Sequence, residues 1–158
     1  MAGTQEKIQL LLKIAHRLNE AHVEWALGAS MLMYFKGITS EFHDIDLMVA
    51  ERNTECVRKI LSEMGESCPS ESIQNPMYRT KTFMEFIIDS VEVDVMAGFA
   101  IVKDGKVYDC ALRKEQIVEK MSLGEEVVPL QSPLLWCKYY RLMGRTEKAE
   151  MIEKAIER

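Results

Sequence analysis

From Thr4, read as an N-cap, apolar residues recur at helical spacing at Ile8, Leu11, Leu12, Ala15 and Leu18, while Glu6, Lys7, Lys13 and Arg17 take the opposite face. That pattern predicts an amphipathic helix packed on a larger body. Val23, Trp25 and Leu27 then alternate with polar or small residues up to Gly28, the pattern of a short strand closing in a tight turn. Met31 to Lys36 reads as a short helix ended by Gly37, and His43 to Ala50 as a strand rich in Ile, Leu and Val. Asn53 sits where an N-cap belongs, before a helix whose Val57, Ile60, Leu61 and Met64 share a face and which Gly65 ends.

Beyond a polar loop holding Pro69 and Pro76, the period changes from helical to alternating. Tyr78 to Ile88, Val91 to Met96 and Phe99 to Tyr108 are β-rich, with Asp104-Gly105 a strong hairpin signal, so a meander of antiparallel strands is expected. Gly124 is placed to turn a further hairpin between Ile117 to Met121 and Glu126 to Val128. Ser132-Pro133 then combines an N-cap with proline at the first helical position and opens a helical tail, with Gly144 and Thr146 marking a break. The order predicts an α+β fold: a mixed, largely antiparallel sheet flanked by helices, in a single domain spanning 1–158 with 131–158 as a helical C-terminal extension.

Composition narrows the class. A chain of 158 residues, 47% hydrophobic, can bury a core without metal or disulfide staples. Its four cysteines, Cys56, Cys68, Cys110 and Cys137, show neither zinc-finger nor paired spacing, so reduced thiols are expected. No apolar stretch reaches bilayer length and no basic-then-apolar leader opens the chain, which predicts a cytoplasmic protein with no membrane partner. A net charge of -5 gives no long-range attraction for a polyanion, so extended nucleic acid is disfavoured as a partner.

The chemistry concentrates in three short segments. In His43-Asp44-Ile45-Asp46-Leu47 a strand would put Asp44 and Asp46 on one face and Ile45 and Leu47 on the other. Paired carboxylates repel unless they are solvated, share a proton or bind a cation, and magnesium prefers oxygen ligands of this kind. Upstream, Gly28-Ala29-Ser30 lies between a strand and a helix, where a glycine admits a ligand close to the backbone and a serine offers a hydroxyl to phosphate. Val91-Glu92-Val93-Asp94-Val95 repeats the strand alternation and supplies a third acidic position. Taken singly, each segment is more often a solvated edge or an ordinary capped turn. Their ordered combination is the informative feature.

That combination, Trp25-Ala26-Leu27-Gly28-Ala29-Ser30, then Asp44-Ile45-Asp46-Leu47, then Val93-Asp94-Val95, resembles the DNA polymerase beta-type nucleotidyltransferase superfamily, and in particular its small members, which include antibiotic nucleotidyltransferases and bacterial antitoxins. The resemblance covers about residues 23 to 96. It implies that Gly28 and Ser30 contact a nucleoside triphosphate such as ATP. It also implies that Asp44, Asp46 and Asp94 bind magnesium, or manganese, with Asp94 as the candidate base for the acceptor hydroxyl. Glu92 and Asp89 lie near enough in sequence to compete for the third carboxylate. Members of the superfamily often set a C-terminal lysine against the triphosphate, and Lys138, in the series Lys138, Arg141, Arg145 and Lys148, fits that role.

The activity so implied is metal-dependent transfer of a nucleoside monophosphate to a hydroxyl of a small molecule or protein, with release of pyrophosphate. Acidic residues Glu41, Glu85 and Asp89 would suit a cationic acceptor. The alternative is a non-catalytic module of the same fold, an antitoxin-like partner or a nucleotide sensor.

Overall fold

The computed structural model of the protein describes residues 3–68 and 75–157. The loop residue Pro69 lies outside them. Among the described residues five helices, α1 (Thr4–Glu20), α2 (Ala29–Phe35), α3 (Thr54–Met64), α4 (Pro133–Leu142) and α5 (Thr146–Ile156), accompany nine strands. Seven strands form one mixed sheet in the order β3 (Glu66–Cys68), β4 (Thr82–Ile88), β5 (Val91–Ala97), β2 (Ile45–Val49), β1 (Trp25–Gly28), β9 (Glu126–Leu130) and β8 (Glu119–Leu123). The remaining two, β6 (Ala100–Lys103) and β7 (Lys106–Asp109), make a separate hairpin.

The sheet's centre is not a meander. Strands β2 and β5 run parallel, with Asp46 beside Asp94, and β9 returns from late in the chain to lie parallel to β1 at Leu27 and Leu130. The outer pairs β3/β4, β4/β5 and β8/β9 are antiparallel, as alternation and turns predict. The β6–β7 turn fits its sequence: Asp104 and Gly105 both take positive φ, at 52° and 76°, the twist a two-residue hairpin demands. Asp89 and Ser90, at 51° and 65°, make the same kind of turn between β4 and β5 without a glycine to announce it.

Local patterning has visible outcomes. Strand β1 is buried on both faces, which removes the alternation expected of it and matches its central place in the sheet. In α1 the buried stripe is Leu10, Leu11, Ile14, Ala15 and Leu18, so the inward face is rotated from the one expected, and Ile8 and Leu12 lie at its margin. Ser132 caps α4, its Oγ accepting from Leu134 N at 3.1 Å. Asn53 stands at the N-cap of α3, but its side chain accepts from Glu24 N at 3.0 Å and so ties the helix start to β1.

Helices α1 and α3 contact each other and reach β9 and β4, while α2 lies against β1, β2 and α4. One core of apolar residues runs through both layers, from Leu11 and Leu61 through Leu47 and Val95 to Trp136. Among the described residues no helix is long and apolar enough to cross a membrane.

Candidate active site

Alternation along the central strands decides what the cleft contains. On β5, Val91, Val93 and Val95 are buried, which turns Glu92, Asp94 and Met96 to the other face. On β2, Ile45 and Leu47 are buried, which turns Asp46 to that same face, directly beside Asp94 across the parallel pair. Antiparallel β4 adds Glu85 opposite Asp94. Asp44 lies just before β2 starts, so it is held by the approach to the strand and not by the ladder itself.

Asp44, Asp46 and Asp94 all line one cleft of about 260 Å³. Its walls come from Ala29 and Ser30 at the start of α2, from Trp136 and Tyr140 on α4, and from Arg145 and Lys148 at the α4–α5 turn and on α5. Tyr78, Phe83, Met96, Phe99 and Met143 complete it with apolar surface.

The electrostatics are those of crowded anions in a partly dry pocket. Burial, reinforced by Asp44, pushes Asp46 up to about 7 from an ordinary 3.8, against the lowering pull of Lys148 and Arg145. Burial, with Asp46 and Asp44 adding repulsion, pushes Asp94 up to about 8. Glu92 is raised chiefly by Asp44. Lys148 is lowered by burial and by Arg145, with Asp46 and Asp44 acting the other way, and its Nζ stands 5.3 Å from the centre of the Tyr140 ring. Among the described residues neither Arg145 nor Lys148 forms an ion pair, whereas Arg141 pairs with Glu153.

Such a donor set suits a hard divalent cation, since neutralising the repulsion is what these carboxylates lack. Among the described residues, however, no three acidic, histidine or cysteine side chains converge into a ready-made metal cage. Carboxylates from Asp46, Asp94 and Asp44 that leave most of a coordination shell open match magnesium, which usually takes one or two protein carboxylates and completes its shell with water and substrate phosphate.

The structure brings four of the six expected site residues into one cleft and leaves two outside its lining. Ser30, Asp44, Asp46 and Asp94 line the cleft. Glu92 is exposed on the same face, and Asp89 sits in the β4–β5 turn, where Lys13 approaches it at 3.4 Å. Gly28 is not part of the lining. Its backbone is extended, and a Cβ there would stand 2.6 Å from Cζ2 of Trp136, so the close approach of the indole requires a glycine at this position. Lys138 is exposed and also outside the lining, because α4 presents Trp136 and Tyr140 to the cleft and residue 138 points about 200° round the helix from Trp136. Arg145 and Lys148, later members of the same basic series, line the cleft. The aromatic wall was missed in sequence because Tyr78, Phe99 and Trp136 come from three separate elements.

One residue of the cleft is strained. Ala29 takes φ of 53°, an uncommon conformation for a side chain with a Cβ, at the point where β1 turns into α2.

In sequence, residues 134–158 match a family model described as far upstream element-binding protein, C-terminal, a segment confined to α4, α5 and the residues just after them. No curated protein matches the chain. Among solved structures, the chain is similar to a Thermotoga maritima protein provisionally described as a nucleotidyltransferase, with 24% identity, a TM-score of 0.72, and 99% of this chain and 96% of that one covered. It is also similar to the aminoglycoside nucleotidyltransferase ANT(2″)-Ia in complex with adenylyl-2″-tobramycin, at 13% identity and a TM-score of 0.63, covering 95% of this chain and 89% of that one. A solution structure of the antibiotic-resistance factor ANT(2″)-Ia gives 13% identity and a TM-score of 0.67, covering 98% and 86%. The protein therefore has the nucleotidyltransferase fold, sheet and C-terminal helices included.

Proposed function

We propose that the protein is a metal-dependent nucleotidyltransferase that moves a nucleoside monophosphate from a nucleoside triphosphate to a hydroxyl of a small molecule or protein and releases pyrophosphate. The observation that carries this reading is the pairing of Asp46 with Asp94 across β2 and β5 in a cleft that is also lined by two cations, Arg145 and Lys148, which form no ion pair among the described residues. The fold shared with nucleotidyltransferases agrees with it.

In this reading Asp44, Asp46 and Asp94 hold magnesium or manganese, and the bound cation supplies charge neutralisation at the reacting phosphate. Arg145 and Lys148 take the triphosphate, whose oxygens offer the anions they lack. Ser30 donates its hydroxyl to phosphate from the start of α2. Asp94 accepts the proton of the acceptor hydroxyl at its carboxylate oxygen, a role that its place beside Asp46 in the cleft allows. In-line transfer needs positioning and charge stabilisation and no covalent enzyme intermediate.

The acceptor is best matched by a cation. Glu85 and Glu92 extend the anionic face beyond the three aspartates, Glu85 standing opposite Asp94. None of the three acidic residues singled out in the sequence lines the cleft itself; Glu85 stands next to Asp94 in the strand register, while Glu41 and Asp89 are exposed.

Thermal unfolding in the presence of each nucleoside triphosphate, with and without magnesium, tests the reading. Joint dependence of stabilisation on nucleotide and metal, on the order of 2–3 kcal/mol at a hundredfold excess over Kd and lost in Asp46→Asn, is the expected result. No response to any triphosphate would remove it. Stabilisation without pyrophosphate release over a broad panel of hydroxyl acceptors would favour the non-catalytic nucleotide-binding alternative.

A further inference from the structure

The sheet under the cleft changes polarity in a single step. One row across it runs Gly28, Asp46, Asp94, Glu85. Two residues further along the same strands, on the same face, the row runs Ala26, Met48, Met96, Phe83. Carboxylates thus give way to thioethers and an aromatic ring over roughly 7 Å, the rise of two strand residues.

Above the apolar row the covering residues continue the same character. Phe99 and Trp136 stack with ring centres 6.1 Å apart and planes 22° apart, and Tyr78 lies 6.1 Å from Phe99. Each polar side chain of this half already makes one hydrogen bond within the protein. Trp136 Nε1 donates to Gln131 Oε1 at 2.7 Å, a bond made by the protein's one buried polar side chain among the described residues. Tyr78 Oη donates to Met143 Sδ at 3.2 Å, and Thr80 Oγ1 accepts from Ala100 N at 3.3 Å. What faces the cleft here is ring surface and sulfur, while Ser30, Arg145, Lys148 and the aspartates hold the charged half.

A ligand matched to both halves has an anionic end and a flat aromatic end. We propose that the apolar half is a nucleobase slot that holds the base by stacking and not by its hydrogen-bonding edge, so that the site takes ATP and GTP alike, ahead of pyrimidine triphosphates. The inference rests on the nucleotidyl-transfer reading above and specifies its donor substrate. Stacking tolerates any base because every base offers a π face, and the two fused rings of a purine offer more of it than one ring does. Sharp discrimination between adenine and guanine requires a site built to hydrogen-bond one edge, which then leaves buried groups unpaired with the wrong base. Among the described residues the apolar half offers only the single hydroxyls of Tyr78 and Thr80, each already bonded within the protein, and no side-chain amide or carboxylate that could pair with a base edge through two hydrogen bonds.

The test is equilibrium binding of ATP, GTP, CTP, UTP and inorganic tripolyphosphate to the full chain, each with magnesium. ATP and GTP are expected to bind within about threefold of each other, the pyrimidine nucleotides about tenfold more weakly, and tripolyphosphate most weakly. Phe99→Leu and Tyr78→Leu should each weaken both purine nucleotides about tenfold and leave tripolyphosphate within about twofold; Tyr78 is half-buried, so its replacement keeps the test open if Phe99→Leu does not fold. A preference of ATP over GTP, or the reverse, above about tenfold overturns the stacking slot, as does equal binding of purines and pyrimidines. Tripolyphosphate binding as tightly as ATP overturns the slot while leaving the phosphate site in place. Failure of every compound, tripolyphosphate included, takes the nucleotidyl-transfer reading with it.

Discussion

Two residues show how far a single side chain governs this protein. At Gly28 the missing Cβ is occupied space: Trp136 closes to 2.6 Å of where it would be, and the same indole walls the cleft. Gly28→Ala should therefore lower stability by on the order of 1–3 kcal/mol and shift the near-ultraviolet signal of Trp136, both read by thermal unfolding followed by circular dichroism. At Asp46 the cost lies in charge. Its affinity for a proton is higher in the folded protein, at about 7, than its ordinary 3.8, and Asp94 rises to about 8. A carboxylate raised in this way destabilises the fold once ionised. The penalty is absent below the ordinary value, grows as pH climbs towards the folded value, and is complete above it. Between about pH 4 and pH 8 the metal-free protein should lose stability from these groups. Asp46→Asn should be more stable than the wild type by roughly 1–3 kcal/mol at pH 8 and should lose that advantage near pH 4, with unfolding in chelator at each pH as the measurement. An advantage that does not change with pH would show that repulsion is not what the cluster stores.

At the scale of the element, helix α4 explains both a success and a failure of sequence reasoning. Its start is written in Ser132-Pro133, and Ser132→Ala should cost about 1 kcal/mol through the lost cap, measurable by chemical denaturation. Its orientation is not written there, since Trp136, Cys137, Tyr139, Tyr140 and Lys138 fit several rotations of an apolar helix buried over much of its circumference. The contacts with Gly28 and Phe99 select one rotation, which turns Lys138 away and brings the α4–α5 turn over the carboxylates. Lys148→Ala is accordingly expected to weaken triphosphate binding about tenfold, and Lys138→Ala to leave it within about twofold, by direct titration. The reverse ranking would place the helix wrongly.

At the scale of the molecule, the site depends on strands brought together from distant parts of the chain. Strand β9 joins β1 only after the chain has made β3 to β8, and α4, which carries Trp136 and Tyr140, leaves from the end of β9. Strands β1, β2 and β5 are thus flanked on both edges and buried beneath, whereas α5 has its main contacts with α4 alone. Amide hydrogen exchange should be slowest in Trp25–Gly28, Ile45–Val49 and Val91–Ala97 and fastest, among helices of similar length, in Thr146–Ile156. Because Lys148 rides on that less protected helix, triphosphate binding is expected to raise protection there more than in the sheet.

What the sequence determined by itself is what depends on near neighbours. Period and turn chemistry were enough for the helices, for the Asp104-Gly105 and Gly124 hairpins and for the α4 cap, and alternation sufficed to put Asp46 and Asp94 each on one face of its own strand. The tertiary structure decided everything that depends on distant residues meeting. It made β2 parallel to β5, so that two carboxylates 48 positions apart became partners in one row. It buried β1 on both faces, turned Lys138 outward and Lys148 inward, and gathered Tyr78, Phe99 and Trp136 into a single wall. A backbone pattern of period two or 3.6 fixes which side of an element is apolar, but the packing of elements, which excludes water and sets their mutual rotation, fixes what each polar side chain faces.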